Sequence, residues 1–121
     1  MFRSVARVNY HTCWITAECD GEILDYYWWW WWKAKHVKLM KPMFGAHISI
    51  VRGKEEEIEE GWWECGLRGK VEFCYHPERL FLYDTHVWLP VSGEGLNNIR
   101  ESVGLLRNPV MPFHMTIGRV R

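Results

Sequence analysis

The chain has 121 residues and a mass of 14.6 kDa, the length of one compact domain rather than two independent cores. Hydrophobic residues make up 48% and charged residues 25%, a globular balance that excludes disordered and fibrous chains. Fifteen Lys and Arg offset fifteen Asp and Glu; this excludes a protein that coats duplex nucleic acid by charge alone, while a small anionic ligand in a local pocket remains compatible.

The aromatic run Tyr26–Trp32 is seven residues long, far short of the roughly 20 apolar residues a membrane-spanning helix needs. The stretch Met1–Arg7 lacks the apolar centre of a signal peptide. Cys13, Cys19, Cys65 and Cys74 form no C-x-x-C pair, so they read as reduced cysteines of a cytoplasmic protein rather than a zinc site or a disulfide framework.

In chain order, residues 13–19 carry strand formers and end at the turn signal Asp20-Gly21. From Glu22 to Lys35 the apolar residues are too dense for strand alternation. Asp20 can cap a helix there, and Lys33 and Lys35 suit its C-terminal dipole. Five consecutive tryptophans, Trp28–Trp32, would surround such a helix, which must then be well buried or lie beside a ligand or partner. Lys33, Lys35, Lys38 and Lys41 follow with no acid among residues 33–41, a strip that reads as a solvated helix end or as a steering surface for an anion.

After Pro42, residues 45–51 read as a strand. The glutamate run over residues 55–60 reads as a solvated acidic segment. Residues 70–75 and 80–91, the latter divided at Tyr83-Asp84, suggest antiparallel strands. Leu96, Ile99, Val103 and Leu106 are spaced as one face of a helix. Pro109 and Pro112 lead into a last strand over 113–120, and no linker-like composition shift divides the chain, so residues 1–121 form a single domain.

The most informative feature is an internal echo. Residues 42–52 read Pro-Met-Phe-Gly-Ala-His-Ile-Ser-Ile-Val-Arg, and residues 109–119 read Pro-Val-Met-Pro-Phe-His-Met-Thr-Ile-Gly-Arg. Aligned on His47 and His114, both have Pro five before, Ser or Thr two after, Ile three after and Arg five after. The pattern predicts two halves of one fold, each supplying an equivalent strand. On a strand, residues two apart share a face, so His47 projects with Ser49 and His114 with Thr116, each pair backed by apolar residues. Two imidazoles and two hydroxyls then face one another across a pseudo-twofold axis.

That set suits attack at phosphorus. One neutral His takes a proton from the attacking oxygen and the other gives one to the leaving oxygen, while Ser49 and Thr116 hold the non-bridging oxygens. Two strand-borne histidines with hydroxyl partners and no nearby carboxylate make a poor divalent site, so neither metal nor cofactor is expected.

The stretches His47-Ile48-Ser49-Ile50 and His114-Met115-Thr116-Ile117 resemble the paired H-x-[S/T]-x motifs of the two-histidine (2H), LigT-like phosphoesterase superfamily. Residues 41–53 with 113–118, and Trp88-Leu89-Pro90-Val91 followed by residues 96–105, are similar to a compact bacteriophage branch. That branch includes the anti-CBASS nucleases, which degrade the cyclic nucleotide signals of bacterial immunity. The resemblance covers most of the chain from about Tyr26 onward. It implies an α+β, bilobal fold, with two pseudo-symmetric antiparallel β lobes and flanking helices around a central cleft. It also implies metal-independent cleavage of the 3'–5' linkage of a cyclic di- or trinucleotide by the substrate's own 2'-hydroxyl. His47 and His114 carry over as base and acid, and Ser49 and Thr116 as phosphate-oxygen donors. A phage-encoded member would work in the host bacterial cytoplasm.

Two other functions are compatible with the residues: a 2',3'-cyclic phosphodiesterase acting on RNA ends, and a non-catalytic protein that sequesters a cyclic nucleotide. Base recognition calls for aromatic faces, for which Trp14, Tyr75 and Trp88 are the strand-borne candidates. Arg52 and Arg119 lie five residues after the histidines, which on a regular strand turns them to the other face. A bulge at Gly118 would bring Arg119 back to the substrate-binding side.

Overall fold

The computed structural model describes residues 1–11, 14–53 and 69–121. Among these, seven strands and two helices run in the order β1 (Phe2–His11), β2 (Trp14–Glu18), α1 (Gly21–Lys35), β3 (His47–Val51), β4 (Gly69–Tyr75), β5 (Phe81–Tyr83), β6 (His86–Ser92), α2 (Glu94–Ser102) and β7 (His114–Arg119). A short 3₁₀ turn, Pro77–Arg79, joins β4 to β5. All pairings are antiparallel, in the order β4-β1-β2-β3-β7-β6-β5. A further β4–β6 pairing closes six of the strands into a barrel, with β5 outside it as a hairpin arm of β6. The protein is therefore a mixed α+β domain dominated by antiparallel sheet.

The order of elements repeats. Residues 2–51 run β-β-α-β, and residues 69–119 run β-β-α-β once the 3₁₀ turn and β5 are set aside. In each half the first strand pairs the second and the second pairs the third. The halves join through β3 with β7 and through β1 with β4. The helices cross over: α1 packs on β7, and α2 packs on β3 as well as on β4.

One face of the barrel strands is apolar. Ile15, Ala17, Ile48, Ile50, Val87, Leu89, Met115 and Ile117 are buried there with Leu24, Tyr27 and Trp31 of α1 and Leu96 and Ile99 of α2, forming one core. The alternation that buries Ile48, Ile50, Met115 and Ile117 necessarily turns the intervening His47, Ser49, His114 and Thr116 to the opposite face.

Helix α1 begins as the sequence predicts: the Asp20 carboxylate accepts a hydrogen bond from the Glu22 N–H at 3.0 Å. It ends at His36, which adopts φ 57° and donates its N–H to Trp32 O. The tryptophan run divides: Trp31 is buried, while Trp29 and Trp30 are 54% and 43% exposed. The lysine strip is drawn onto these indoles, with Lys33 Nζ 4.6 Å from the Trp29 ring centre and Lys41 Nζ 4.8 Å from that of Trp28.

Helix α2 is shorter than its apolar spacing predicts. It stops at Ser102 because Gly104 turns to φ 85° and the Leu105 N–H returns to Arg100 O; Leu106 is left 81% exposed. The buried Arg100 secures this corner, giving Nε to Leu106 O at 2.8 Å and Nη1 to Ile50 O at 2.9 Å on β3. The division at Tyr83-Asp84 is a tight hairpin in which Asp84 takes φ 55°. Strand β1 was not apparent from the sequence.

Cys19 and Cys74 are free thiols; Cys13, Cys65 and the acidic segment 55–60 lie outside the described residues. Burial pushes the Cys19 thiol up to about 12, with Glu18 and Asp20 adding to the effect. Among the described residues no helix is long and apolar enough to cross a membrane.

Candidate active site

The strands β3 and β7 meet at Ile48 opposite Met115. One step along that register in each direction sets His47 opposite Thr116 and Ser49 opposite His114. Each imidazole thus faces the hydroxyl of the other half, and the two histidines are diagonal neighbours, about 7–8 Å apart at the backbone. The echo in the sequence becomes a pseudo-twofold arrangement on one polar face.

Both rings are fixed in the same way. His47 Nδ1 lies 3.1 Å from Gly45 O, and His114 Nδ1 lies 2.8 Å from Pro112 O. A carbonyl only accepts, so Nδ1 carries the hydrogen in each ring and donates it. The Nε2 atom of each ring is thereby left for proton transfer. The Ser49 and Thr116 side chains are half-buried and make no hydrogen bond among the described residues, so both hydroxyls are available to a ligand.

The two histidines differ in their surroundings. His114 is 9% exposed, and Trp88 of β6 lies flat on its ring with centroids 3.7 Å apart and planes inclined by 13°. Tyr83 stacks on Trp88 in turn at 4.8 Å. Burial pushes the His114 imidazole down to about 4, against the Nδ1 hydrogen bond, which raises it; the nearby charges of Arg52, His47 and His86 lower it further. His114 is therefore neutral at pH 7.

A cavity of about 730 Å³ lies over the β1–β2–β3 side of the polar face, within the size range of small-ligand sites. His47, Ser49 and Arg52 border it, with Trp14, Thr16, Glu18 and Asn9 along its wall and Phe44 at its edge. Cross-strand register explains the set: Asn9 faces Thr16, Thr16 faces Ser49, and Glu18 faces His47. Asn9 Nδ2 donates to Glu18 Oε2 at 3.1 Å. Among the described residues no group of three or more His, Cys, Asp or Glu converges as a metal-binding cluster.

The structure thus gathers His47, Ser49, His114 and Thr116, with Trp14 in the cavity wall and Trp88 against His114. Tyr75 lies elsewhere. It belongs to the apolar face of β4, stacked on Phe2 at 5.5 Å and edge-on to Tyr27 of α1. Arg119 is also elsewhere: its Nη2 meets Met40 Sδ at 3.5 Å, and its backbone pairs with Met40. A bulge does occur in β7, between Thr116 and Gly118, but Arg52 is the arginine that borders the cavity with His47. Sequence reading missed Asn9, Thr16 and Glu18, which reach the cavity because β2 pairs with β3 and β1 pairs with β2.

Protein-family models, curated proteins and solved structures give no match to this chain.

Proposed function

We propose that the protein is a phosphodiesterase of the two-histidine type, which opens the 3'–5' linkage of a cyclic di- or trinucleotide without a metal. The observation that carries this reading is the His47–Thr116 and Ser49–His114 register across β3 and β7, with each Nδ1 tied to the carbonyl two residues earlier. Two equivalent imidazoles, both presenting Nε2, match a reaction that needs one proton removed and one delivered. The repeated β-β-α-β order supports the pseudo-symmetric fold of that superfamily.

The buried, neutral His114 serves as the base. Its Nε2 takes the proton of the ribose 2'-hydroxyl as the 2'-oxygen bonds to phosphorus. The bond from phosphorus to the 5'-oxygen breaks, and a protonated His47 Nε2 gives that oxygen its proton. The product is a linear nucleotide ending in a 2',3'-cyclic phosphate. Ser49 and Thr116 donate to the non-bridging oxygens, whose charge Arg52 offsets. Trp14 offers a face for a base at the cavity wall.

The test is chromatography of a panel of cyclic di- and trinucleotides incubated with the protein in excess EDTA. Linear products are expected from the wild type and none from His47→Ala or His114→Ala. An untouched panel with folded wild-type protein overturns the reading.

A further inference from the structure

A second group of chemically complementary side chains lies where β4 leaves the barrel. His76 follows β4, and its Nε2 is 2.9 Å from Ser92 Oγ at the end of β6. Its Nδ1 is 3.6 Å from Glu78 Oε1 on the 3₁₀ turn. In the tautomer with its proton on Nδ1, toward the carboxylate, Nε2 accepts from the Ser92 hydroxyl. His76 is held in place by its backbone N–H, which donates to Pro90 O at 3.0 Å, and its ring is largely covered while Ser92 is exposed.

We propose that Ser92, His76 and Glu78 form a nucleophile, base and orienting carboxylate that hydrolyse a carboxylic ester. The three stand in the order that nucleophilic catalysis requires: an accessible hydroxyl on one ring nitrogen and an acid on the other. The contact to Glu78 is long, as such contacts are before a substrate closes on them. The carboxylate is held below its usual range, chiefly by a hydrogen bond from its own backbone and then by the N-terminal ammonium, His76 and Arg79. It therefore stays ionised opposite the ring.

Ser92 also ends a strand one residue before the N-cap Gly93 of α2. Beside this turn runs a groove of about 550 Å³ bordered by Arg3, Cys74, Gly93 and Gly95, with Cys74 directly opposite Ser92. A substrate carbonyl approaching Ser92 from that groove comes close to the first N–H groups of the helix, which no helical turn can use.

The chemistry balances. Ser92 Oγ bonds to the carbonyl carbon as its proton passes to His76 Nε2. The tetrahedral intermediate expels the alcohol, which leaves with that proton. Water then attacks the acyl-serine, gives its proton to His76, and releases the acid as Ser92 recovers its hydrogen. The net reaction is ester plus water to acid plus alcohol.

The inference is independent of the phosphodiesterase reading, and its test keeps the two apart. The intact protein is treated with a fluorophosphonate and mapped by mass spectrometry, and hydrolysis of p-nitrophenyl acetate is followed in parallel. One phosphonyl group on Ser92 is expected, lost in Ser92→Ala and in His76→Ala and retained in the His47→Ala, His114→Ala double variant. Ester turnover should fall on the order of 100-fold in Ser92→Ala. Glu78→Gln should lose about tenfold, with Glu78→Asp restoring part of it. Absence of label on Ser92, or ester turnover unchanged in Ser92→Ala, overturns the proposal.

Discussion

The Trp88 indole covers His114 face to face, 3.7 Å from ring centre to ring centre, so this imidazole has an aromatic plate, whereas His47 borders the cavity. Two positions that are equivalent by sequence therefore have inequivalent solvation, which is what the proposed division into a base and an acid requires.

Removing the plate tests that difference. Trp88→Ala admits water to His114 and relieves the desolvation that dominates its shift. The midpoint of His114, followed by NMR titration of its ring protons, should rise from about 4 by about one unit, worth about 1.4 kcal/mol. A midpoint unchanged in Trp88→Ala would remove the indole as the cause.

The same burial makes stability depend on pH. The unfolded chain protonates His114 near its ordinary 6.5, whereas the folded chain resists protonation until about 4. Between these values the unfolded state binds the extra proton, so stability falls as the pH drops from 6.5 toward 4 and is flat in this term above 6.5. The full loss is about 3 kcal/mol. Urea unfolding at pH 7.0 and 4.5 should show it, and a His114→Gln variant should show a smaller difference between the two pH values. An equal difference in both proteins would place the dependence elsewhere.

Ser49→Ala and Thr116→Ala each remove a hydroxyl that no neighbour among the described residues engages. On the proposed mechanism, turnover of a cyclic nucleotide should fall by roughly 10²–10³ in each variant, with unfolding midpoints close to wild type. Undiminished rates would take the hydroxyls out of the mechanism.

Gly118 lets the segment after α1 lie against β7. A Cβ built there would stand 2.7 Å from Leu39 Cβ and 2.8 Å from Met40 O, while Met40 and Arg119 exchange backbone hydrogen bonds at 2.8 and 2.9 Å. Since a main-chain atom is one of the obstacles, Gly118→Ala should destabilise by about 1–3 kcal/mol, read as a lower denaturant midpoint. A midpoint equal to wild type would show that the segment yields freely.

The paired motifs were legible because their chemistry is local: two-residue periodicity fixes which side chains share a face, and Pro, His, hydroxyl and Ile recur at the same offsets. The Asp20 cap and the hairpin at Tyr83-Asp84 were legible for the same reason. Strand β1 was not. Its buried positions are Ala6 and Val8, with Ser4 and Tyr10 in step, so small and polar residues mute the alternation. Without β1 the cavity wall cannot be assembled, which is why Asn9 went unnoticed; Glu18 lies on β2, and only the β2–β3 pairing sets it opposite His47. Parity reasoning set Arg52 apart from the histidines, but β3 ends at Val51, and beyond the strand the rule no longer constrains the side chain. Tyr75 lies on the face that packs against α1, away from the histidines, a placement made by pairing with β1 rather than by local sequence.

The crossing of the helices bears on how such a chain can arise. Because α1 packs on β7 and α2 packs on β3, residues 2–51 alone would carry a helix whose cover belongs to the other half, next to the unpaired edge of β3. Two copies of that fragment, meeting edge to edge along β3, would each lend the other what is missing and would place two identical histidines across the seam. The single chain has the arrangement of such a homodimer joined end to end, and one covalent chain, unlike two identical copies, can give one histidine a tryptophan plate and leave the other an open side.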